Sequence, residues 1–536
     1  MPERIIVIRF SSLGDVVLAE PLFRSLKQKY PQAQIAFVTR KEYVGIFEGH
    51  SSIDQFFCLD GGFGKLVRTV RAFNPDLIVD LHKNFRSRKL AGKFPKTQKL
   101  AYPKSGWERF LKVLTKSREP VAHTAERYLK ASDSEPKLSL TTFPKLQAPC
   151  SDGRRKWIQP ERFTVGFGLG AKWETKIWPI EHFSQLAQLI SKSFPVARFV
   201  LFGSEEEYEL GNAFKKSFSG PSPVTFVFGQ PLERVKICLS KLDLLVSNDS
   251  GLMHLGAALG LPTLGLFGPT HPVLGFAPLG EKSKALTLDV YCSPCSLHGM
   301  MPCFRSRRYC LEDLSPEKVF EETDPILNSG RPKQVLEPAP AVFLDRDGVL
   351  VAERDFDYTP DNIEILPGAA DAMRKLKAAG YTLVVVSNQS GVGRGFLTLK
   401  GVAVVHSAIR EKLKKEGAEI DRFYSCPHWP DGAVEKFRKE CVCRKPKTGM
   451  LELADLELGV DFSRAFVVGD RITDLELGKA QNMRSILVLT GQGKKVQEEL
   501  RKRKELGTVV KENILGAAEY IMSQTNERQA KRPTLR

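Results

Sequence analysis

The stretch Ala341-Val-Phe-Leu-Asp345-Arg-Asp347-Gly-Val349 decides the reading of this chain. Four apolar residues in a row make a short buried strand, and two carboxylates follow where that strand ends. In open α/β sheets the carboxyl ends of the strands are where ligands bind. Two residues apart on an extended chain, Asp345 and Asp347 are expected on one side. One carboxylate can attack phosphorus while its neighbour moves a proton. Gly348 lets the chain turn sharply away.

Three later fragments complete a phosphate-handling set. Ser387-Asn388-Gln389-Ser390-Gly391 follows the apolar run Leu383 to Val386, so a hydroxyl and several amides can cradle phosphate oxygens. Lys445 adds positive charge where negative charge develops in transfer. Val468-Gly469-Asp470 ends a further buried strand with a carboxylate suited to Mg²⁺, a hard cation that takes oxygen ligands. Cys426-Pro-His428 and Cys441-Val-Cys443 offer four ligands in two tight pairs. That pattern fits a closed, structural Zn²⁺ site in the loop carrying Arg444 and Lys445. Each fragment alone has an ordinary explanation as a turn or loop, and the force lies in their conjunction.

The stretch from Ala341 to about Gly493 resembles the D-glycero-D-manno-heptose 1,7-bisphosphate 7-phosphatases of the haloacid dehalogenase superfamily. The resemblance implies Asp345 as nucleophile, Asp347 as acid and base, and Mg²⁺ on Asp345, Asp347 and Asp470. It further implies substrate or phosphoryl contacts from Glu353, Arg354, Asp355, Phe356, Ser387, Asn388, Gln389, Ser390, Arg444, Lys445 and Arg471. Ser387 stands where threonine is usual, and Arg471 where lysine is common; hydroxyl and charge are kept. Histidinol-phosphate phosphatase shares these aspartates and the zinc loop, but the long Trp429 to Glu440 segment favours the heptose enzyme.

Upstream, the chain alternates strands and helices twice over. Ile5 to Phe10, a helix from about Val16 to Tyr30, Gln34 to Thr39 and Leu77 to Asp80 form one set. Phe163 to Phe167, Arg198 to Gly203, Leu244 to Ser247 and Thr263 to Phe267 form another. Alternation of this kind predicts parallel sheets, and two such domains face each other across a cleft. Ser11-Ser-Leu-Gly14-Asp15 places a carboxylate at a helix start, either as a cap or as a base acting on an acceptor hydroxyl. Lys172 and Lys176 precede a new helix, and Asp249-Ser250-Gly251 follows a buried strand, so cations and amides can meet a diphosphate without a metal.

This half resembles glycosyltransferase family 9, the ADP-heptose:lipopolysaccharide heptosyltransferases, through Ser11 to Asp15, Lys176-x-Trp178-Pro179, Phe202-Gly-Ser204, Asn248 to His254 and Phe267-Gly-Pro-Thr270. The resemblance implies a two-domain GT-B fold and inverting transfer from ADP-heptose to a lipopolysaccharide core acceptor. Asp15 would be the base, with Lys176, Asp249, Ser250 and Gly251 on the donor.

The expected architecture is therefore α/β: two Rossmann-like domains of GT-B type, then a haloacid dehalogenase-type Rossmann-like domain with a zinc loop. Residues 1–155 form the acceptor domain, 156–327 the donor domain, 328–340 a linker, 341–523 the phosphatase and 524–536 a disordered tail. A length of 536 residues suits several cores. The net charge of +18 favours anionic partners, here phosphorylated sugars, the nucleotide sugar and a membrane face. A polynucleotide phosphatase is an alternative reading of this basic chain, but no recognisable RNA- or DNA-binding motif accompanies the charge, so a nucleic-acid partner is not expected.

No run is apolar for long enough to span a bilayer, and the N-terminus reads as a strand, so a cytoplasmic protein, peripheral at most to the inner membrane, is expected. Ten cysteines in a chain this long point to metal rather than to a disulfide scaffold. Cys292, Cys295, Cys303 and Cys310 form a second group that reads equally as a metal set or as free thiols.

Overall fold

A computed structural model describes residues 1–132, 143–147, 163–329, 338–354, 356–357, 359–505 and 507–530, with side chains to residue 524. They fall into two compact units, one ending with the described residues at 329 and the other opening at 338. Asp355 and most of the expected linker lie outside the described residues.

The first unit holds two sheets. Strands β1 (Arg4–Ile8), β2 (Gln34–Thr39), β3 (Gln55–Cys58), β4 (Leu77–Asp80) and β5 (Gln98–Ala101) pair in the order β3-β2-β1-β4-β5. Strands β6 (Thr164–Gly168), β7 (Arg198–Gly203), β8 (Val224–Phe228), β9 (Leu244–Asn248), β10 (Thr263–Phe267) and β11 (Ser283–Thr287) pair as β11-β10-β9-β6-β7-β8. In the second unit β12 (Ala341–Leu344), β13 (Thr382–Asn388), β14 (Arg422–Cys426), β15 (Phe466–Gly469), β16 (Arg484–Val488) and β17 (Val509–Lys511) pair as β14-β13-β12-β15-β16-β17.

Every strand pairing is parallel. Each sheet starts in its middle and winds outward in both directions. Each therefore has one point where neighbouring connections diverge: between β1 and β4, between β6 and β9, and between β12 and β15. A crevice opens at such points, at the carboxyl ends of the strands.

Burial explains the strand sequences. Ile5, Ile6, Val7 and Ile8 are fully buried, as are Ala341, Val342, Phe343 and Leu344, because helices cover both faces of a central parallel strand. The helix Ala369–Ala378 and the final helix, Ile514–Ala530, close over the third sheet through Met373, Leu376, Ala517 and Ile521.

Two elements differ from expectation. The helix predicted over Val16 to Tyr30 is broken at Ala19 into Leu13–Leu18 and Glu20–Lys29. Pro21 is the cause: without an N–H it suits the first turn of a new helix better than the middle of an old one. The last helix continues to Ala530, past the point at which the polar composition ends regular structure in the sequence reading.

Candidate active sites

In the second unit, Asp345 leaves β12 and Asp470 leaves β15, the two strands at the divergence point. Their carboxylates meet: ligand oxygens of Asp345, Asp470 and Asp474 lie within 4.8 Å of one another, all buried. Asp474, which the sequence reading did not single out, sits in the first turn of the helix Ile472–Ala480, where it accepts from the N–H of Arg471 at 3.1 Å.

Lys445 Nζ neutralises part of this cluster, 2.6 Å from Asp474 Oδ1 and 3.0 Å from Asp345 Oδ1, and it donates to Val386 O at 2.9 Å. Burial works against its charge, yet Asp345 and Asp474 outweigh that and hold the ammonium above the ordinary lysine range. One cation does not balance three acids. Burial pushes Asp345 up to about 6 even with Lys445 beside it, and burial reinforced by Asp345 pushes Asp470 up to about 8. Asp470 Oδ2 accepts from the N–H of Gln492 at 2.8 Å, while its buried Oδ1 has no hydrogen-bond partner. An acid-rich pocket with an orphaned carboxylate oxygen fits a hard divalent cation.

The side chain of Asp347 stands apart from the other two expected ligands. Its carboxylate lies outside the acidic cluster, held by Arg346 Nε at 2.8 Å and Nη2 at 2.9 Å, with Gln389 Nε2 at 3.2 Å. The reason is local: β12 ends at Leu344, so strand alternation no longer governs residue 347. At Gly348 φ is +77°, and a side chain there would run into Asp470 Oδ2. Asp345 and Asp347 nevertheless line one cavity of about 600 Å³, a volume suited to a small phosphorylated ligand.

The other expected contacts distribute unevenly. Gln389 Nε2 donates to Ser387 Oγ at 2.8 Å, and Asn388 exchanges two hydrogen bonds with the backbone of Lys445. Ser387, Asn388, Gln389, Ser390, Phe356 and Arg471 all line the cavity. Glu353 also lines it, paired with Arg471 and accepting from Gln492 Nε2 at 2.8 Å. Arg354 instead reaches Glu364 at 3.3 Å.

Trp429 was not singled out as a contact, and only the structure reveals its use. The guanidinium groups of Arg394 and Arg444 lie 4.2 and 4.5 Å from its ring centroid, and all three residues line the cavity. Stacking on a ring face leaves the guanidinium N–H groups for acceptors at its edge, one of which on Arg444 goes to His428 O at 3.3 Å.

The zinc loop assembles as expected. Cys441 Sγ lies 3.5 Å from both Cys426 Sγ and Cys443 Sγ, and His428 Nδ1 is 3.6 and 3.3 Å from the sulfurs of Cys426 and Cys443. Tetrahedral ligands at about 2.3 Å from zinc stand roughly 3.8 Å apart, so these spacings fit. The hydrogen bonds among the three sulfurs lower the Cys441 thiol and raise that of Cys443.

In the first unit, Asp15 lies just beyond β1. Its carboxylate pairs with Arg9 at 2.6 Å and accepts from Ser12 Oγ at 2.9 Å and Tyr128 Oη at 3.1 Å. Burial alone would raise Asp15, but Arg9 and these hydroxyls hold it below the usual carboxylate range. Lys176, on the segment after β6, pairs through Nζ with Asp249 Oδ2, just beyond β9, at 2.7 Å, and the same oxygen accepts from Thr270 Oγ1 at 2.7 Å. Ser250 precedes the helix Gly251–Ala258 without capping it through its side chain, so the first amides of that helix stay available to an anion. Helices Leu13–Leu18 and Gly251–Ala258 touch: a Cβ on Gly14 would stand 2.7 Å from His254 Cδ2. Asp15 thus lies near the helix that follows Asp249 and Ser250.

Comparison with known proteins finds relatives for both halves of the chain. Residues 63–300 match glycosyltransferase family 9 (heptosyltransferase), and residues 442–517 match a HAD-hydrolase-like family. The D-glycero-beta-D-manno-heptose-1,7-bisphosphate 7-phosphatase of Yersinia pestis is 40% identical over 153 residues, 28% of this chain and 81% of the relative. Its namesake from Escherichia coli strain K12 is 41% identical over 153 residues, 28% of this chain and 80% of the relative. Among solved structures, the E. coli ADP-heptose lps heptosyltransferase II aligns with 24% identity and a TM-score of 0.48, covering 61% of this chain and 99% of its own. A triad of buried acids at the β12–β15 divergence, and relatives matched over four-fifths of their length, lead to one conclusion: this chain belongs to the D-glycero-beta-D-manno-heptose-1,7-bisphosphate 7-phosphatase family and carries a glycosyltransferase family 9 domain in the same polypeptide.

Proposed function

We propose that the chain is a bifunctional enzyme of heptose and lipopolysaccharide-core synthesis. Its second unit hydrolyses the 7-phosphate of heptose 1,7-bisphosphate, and its first transfers heptose from ADP-heptose to a lipopolysaccharide core acceptor. The observation that carries the phosphatase reading is the meeting of Asp345 and Asp470 beside Lys445, under a cavity lined by stacked arginines.

In this reading one Asp345 oxygen attacks phosphorus as the bond to the sugar oxygen breaks, and Asp347, which leaves Arg346 and enters the step carrying a proton taken from solvent, gives that proton to the departing oxygen. Asp347 then takes a proton from the water that cleaves the aspartyl-phosphate, releasing inorganic phosphate and restoring Asp345. Lys445 steadies charge on Asp345 throughout, and Ser387 with the amides after it holds the non-bridging oxygens. Asp345, Asp470 and a group from residue 347 would hold Mg²⁺, which supplies charge neutralisation for the phosphoryl oxygens. Zn²⁺ in the Cys426, His428, Cys441 and Cys443 set keeps the Arg444–Lys445 segment in place.

In the first unit Asp15 is the base that removes the acceptor proton, and Lys176 with the amides at Ser250 and Gly251 receives the diphosphate leaving group. Among the described residues no helix is long and apolar enough to cross a membrane. A cytoplasmic enzyme reaching its acceptor at the inner membrane face accords with that and with the +18 charge.

The deciding experiment measures phosphate release from heptose 1,7-bisphosphate and from histidinol phosphate by the purified protein with Mg²⁺. A preference for the heptose ester, lost in Asp345→Asn and kept in Asp15→Ala, is expected. Faster release from histidinol phosphate would overturn the substrate assignment.

A further inference from the structure

Neither site described above uses Cys292, Cys295, Cys303 and Cys310. The spacing Cys-x2-Cys-x7-Cys-x6-Cys groups them within nineteen residues of one segment of the first unit, counted from 292 to 310. All four are free thiols, and all four line one small cavity. Its volume, about 20 Å³, admits a body the size of a single ion or water, whereas an organic ligand needs several hundred. Cys310 is buried at the start of the helix Tyr309–Glu312, and Cys303 Sγ reaches only the carbonyl of Arg307, at 3.5 Å.

The segment is fastened at both ends to the donor site. Ser293 Oγ donates to Gly268 O at 2.8 Å and the N–H of Cys295 to Pro269 O at 3.0 Å, just past β10. On the other side Thr175 Oγ1 donates to Gly299 O, and Arg308 Nη1 donates to the carbonyls of Glu174 at 2.8 Å and Ile177 at 3.1 Å. Those bonds bracket Lys176, whose stem packs against Gly299. Whatever fixes the four cysteines fixes the backbone around Lys176.

We propose that Cys292, Cys295, Cys303 and Cys310 form a second thiolate site for a soft divalent cation such as Zn²⁺, which braces the Lys176 turn of the transferase half. Four sulfurs without an open position suit a structural role. They are more widely spaced here than the Cys426 set, whose ligand atoms already lie within 4.8 Å of one another. Binding therefore draws the segment inward, onto the turn it contacts.

Cobalt titration of the metal-stripped full chain tests this, because Co²⁺ bound to thiolates absorbs intensely in the near ultraviolet. Two thiolate-bound equivalents per chain are expected, counted by this absorbance and apart from any Co²⁺ on the carboxylates of Asp345 and Asp470. Cys303→Ser/Cys310→Ser should halve the charge-transfer absorbance, leaving phosphate release unchanged, and Cys441→Ser should remove the other half. A wild-type plateau at one equivalent, abolished by Cys441→Ser, would overturn the proposal, as would a double variant that still takes up two. Should the double variant not fold, alkylation of the wild-type protein decides. With Zn²⁺ the four cysteines should be protected and become reactive on chelation; equal labelling in both states refutes the site.

Discussion

Lys445 Nζ and Asp474 Oδ1 lie 2.6 Å apart, with only 1% of either side chain open to solvent. Removing one member of a buried ion pair leaves the other charged and uncompensated, which costs about 3–5 kcal/mol. Asp474→Ala should therefore destabilise the second unit by that order and lower phosphatase turnover at least tenfold, because Lys445 is then held by Asp345 alone among the acids. Denaturant unfolding and steady-state kinetics check both. A loss below about 1 kcal/mol would show that the pair contributes little.

Gly348→Ala should fold poorly around its active centre. The new methyl meets Asp470 Oδ2, and φ of +77° adds strain of about 1–2 kcal/mol. Phosphate release should fall by orders of magnitude while transferase activity persists, which separates a local defect from global unfolding.

Trp429→Ala removes the surface on which Arg394 and Arg444 stack. Two cation–π contacts at about 0.5–1 kcal/mol each predict a KM raised roughly tenfold, with kcat nearly unchanged if the arginines serve binding alone. A fall in kcat at constant KM would place them in the transition state instead.

Asp15 carries a pH signature. Arg9, Ser12 and Tyr128 hold it below the unfolded carboxylate value despite burial. Its contribution to stability is therefore complete above the unfolded pKa, about 3.9, and is lost as pH falls through the lower folded value. Heptosyl transfer should show no ionisation limb from Asp15 between pH 5 and 9, and Asp15→Asn should flatten the acid side of the first unit's melting profile. A transfer limb near pH 6.5 that vanishes in Asp15→Asn contradicts this.

How legible all this was in the sequence depended on range. Buried runs such as Ile5 to Ile8 and Ala341 to Leu344 announce central parallel strands by composition, and Asp345 and Asp470 follow because each directly ends such a strand. Asp474 escaped notice because an acid in a helix's first turn has an ordinary capping explanation; only the approach of Lys445 from another loop gives it a second task. Trp429 lies within a zinc-loop segment read by its length, and its stacking depends on Arg394, which arrives from the far side of β14 in sequence. Strand alternation does not reach Asp347, because β12 stops at Leu344, so its pairing with Arg346 is visible only in the structure.

The outward winding of each sheet also orders how the chain can be assembled. Strands β1 to β5 are complete before β6 is translated, β6 to β11 before β12, and among the described residues no sheet borrows a strand from another. Parallel pairing is slow because its contacts are distant along the chain. Here that distance never exceeds one sheet's own stretch, so each can settle on the ribosome while the next is still being made. Two enzymes can then be joined end to end without either waiting for the other to fold.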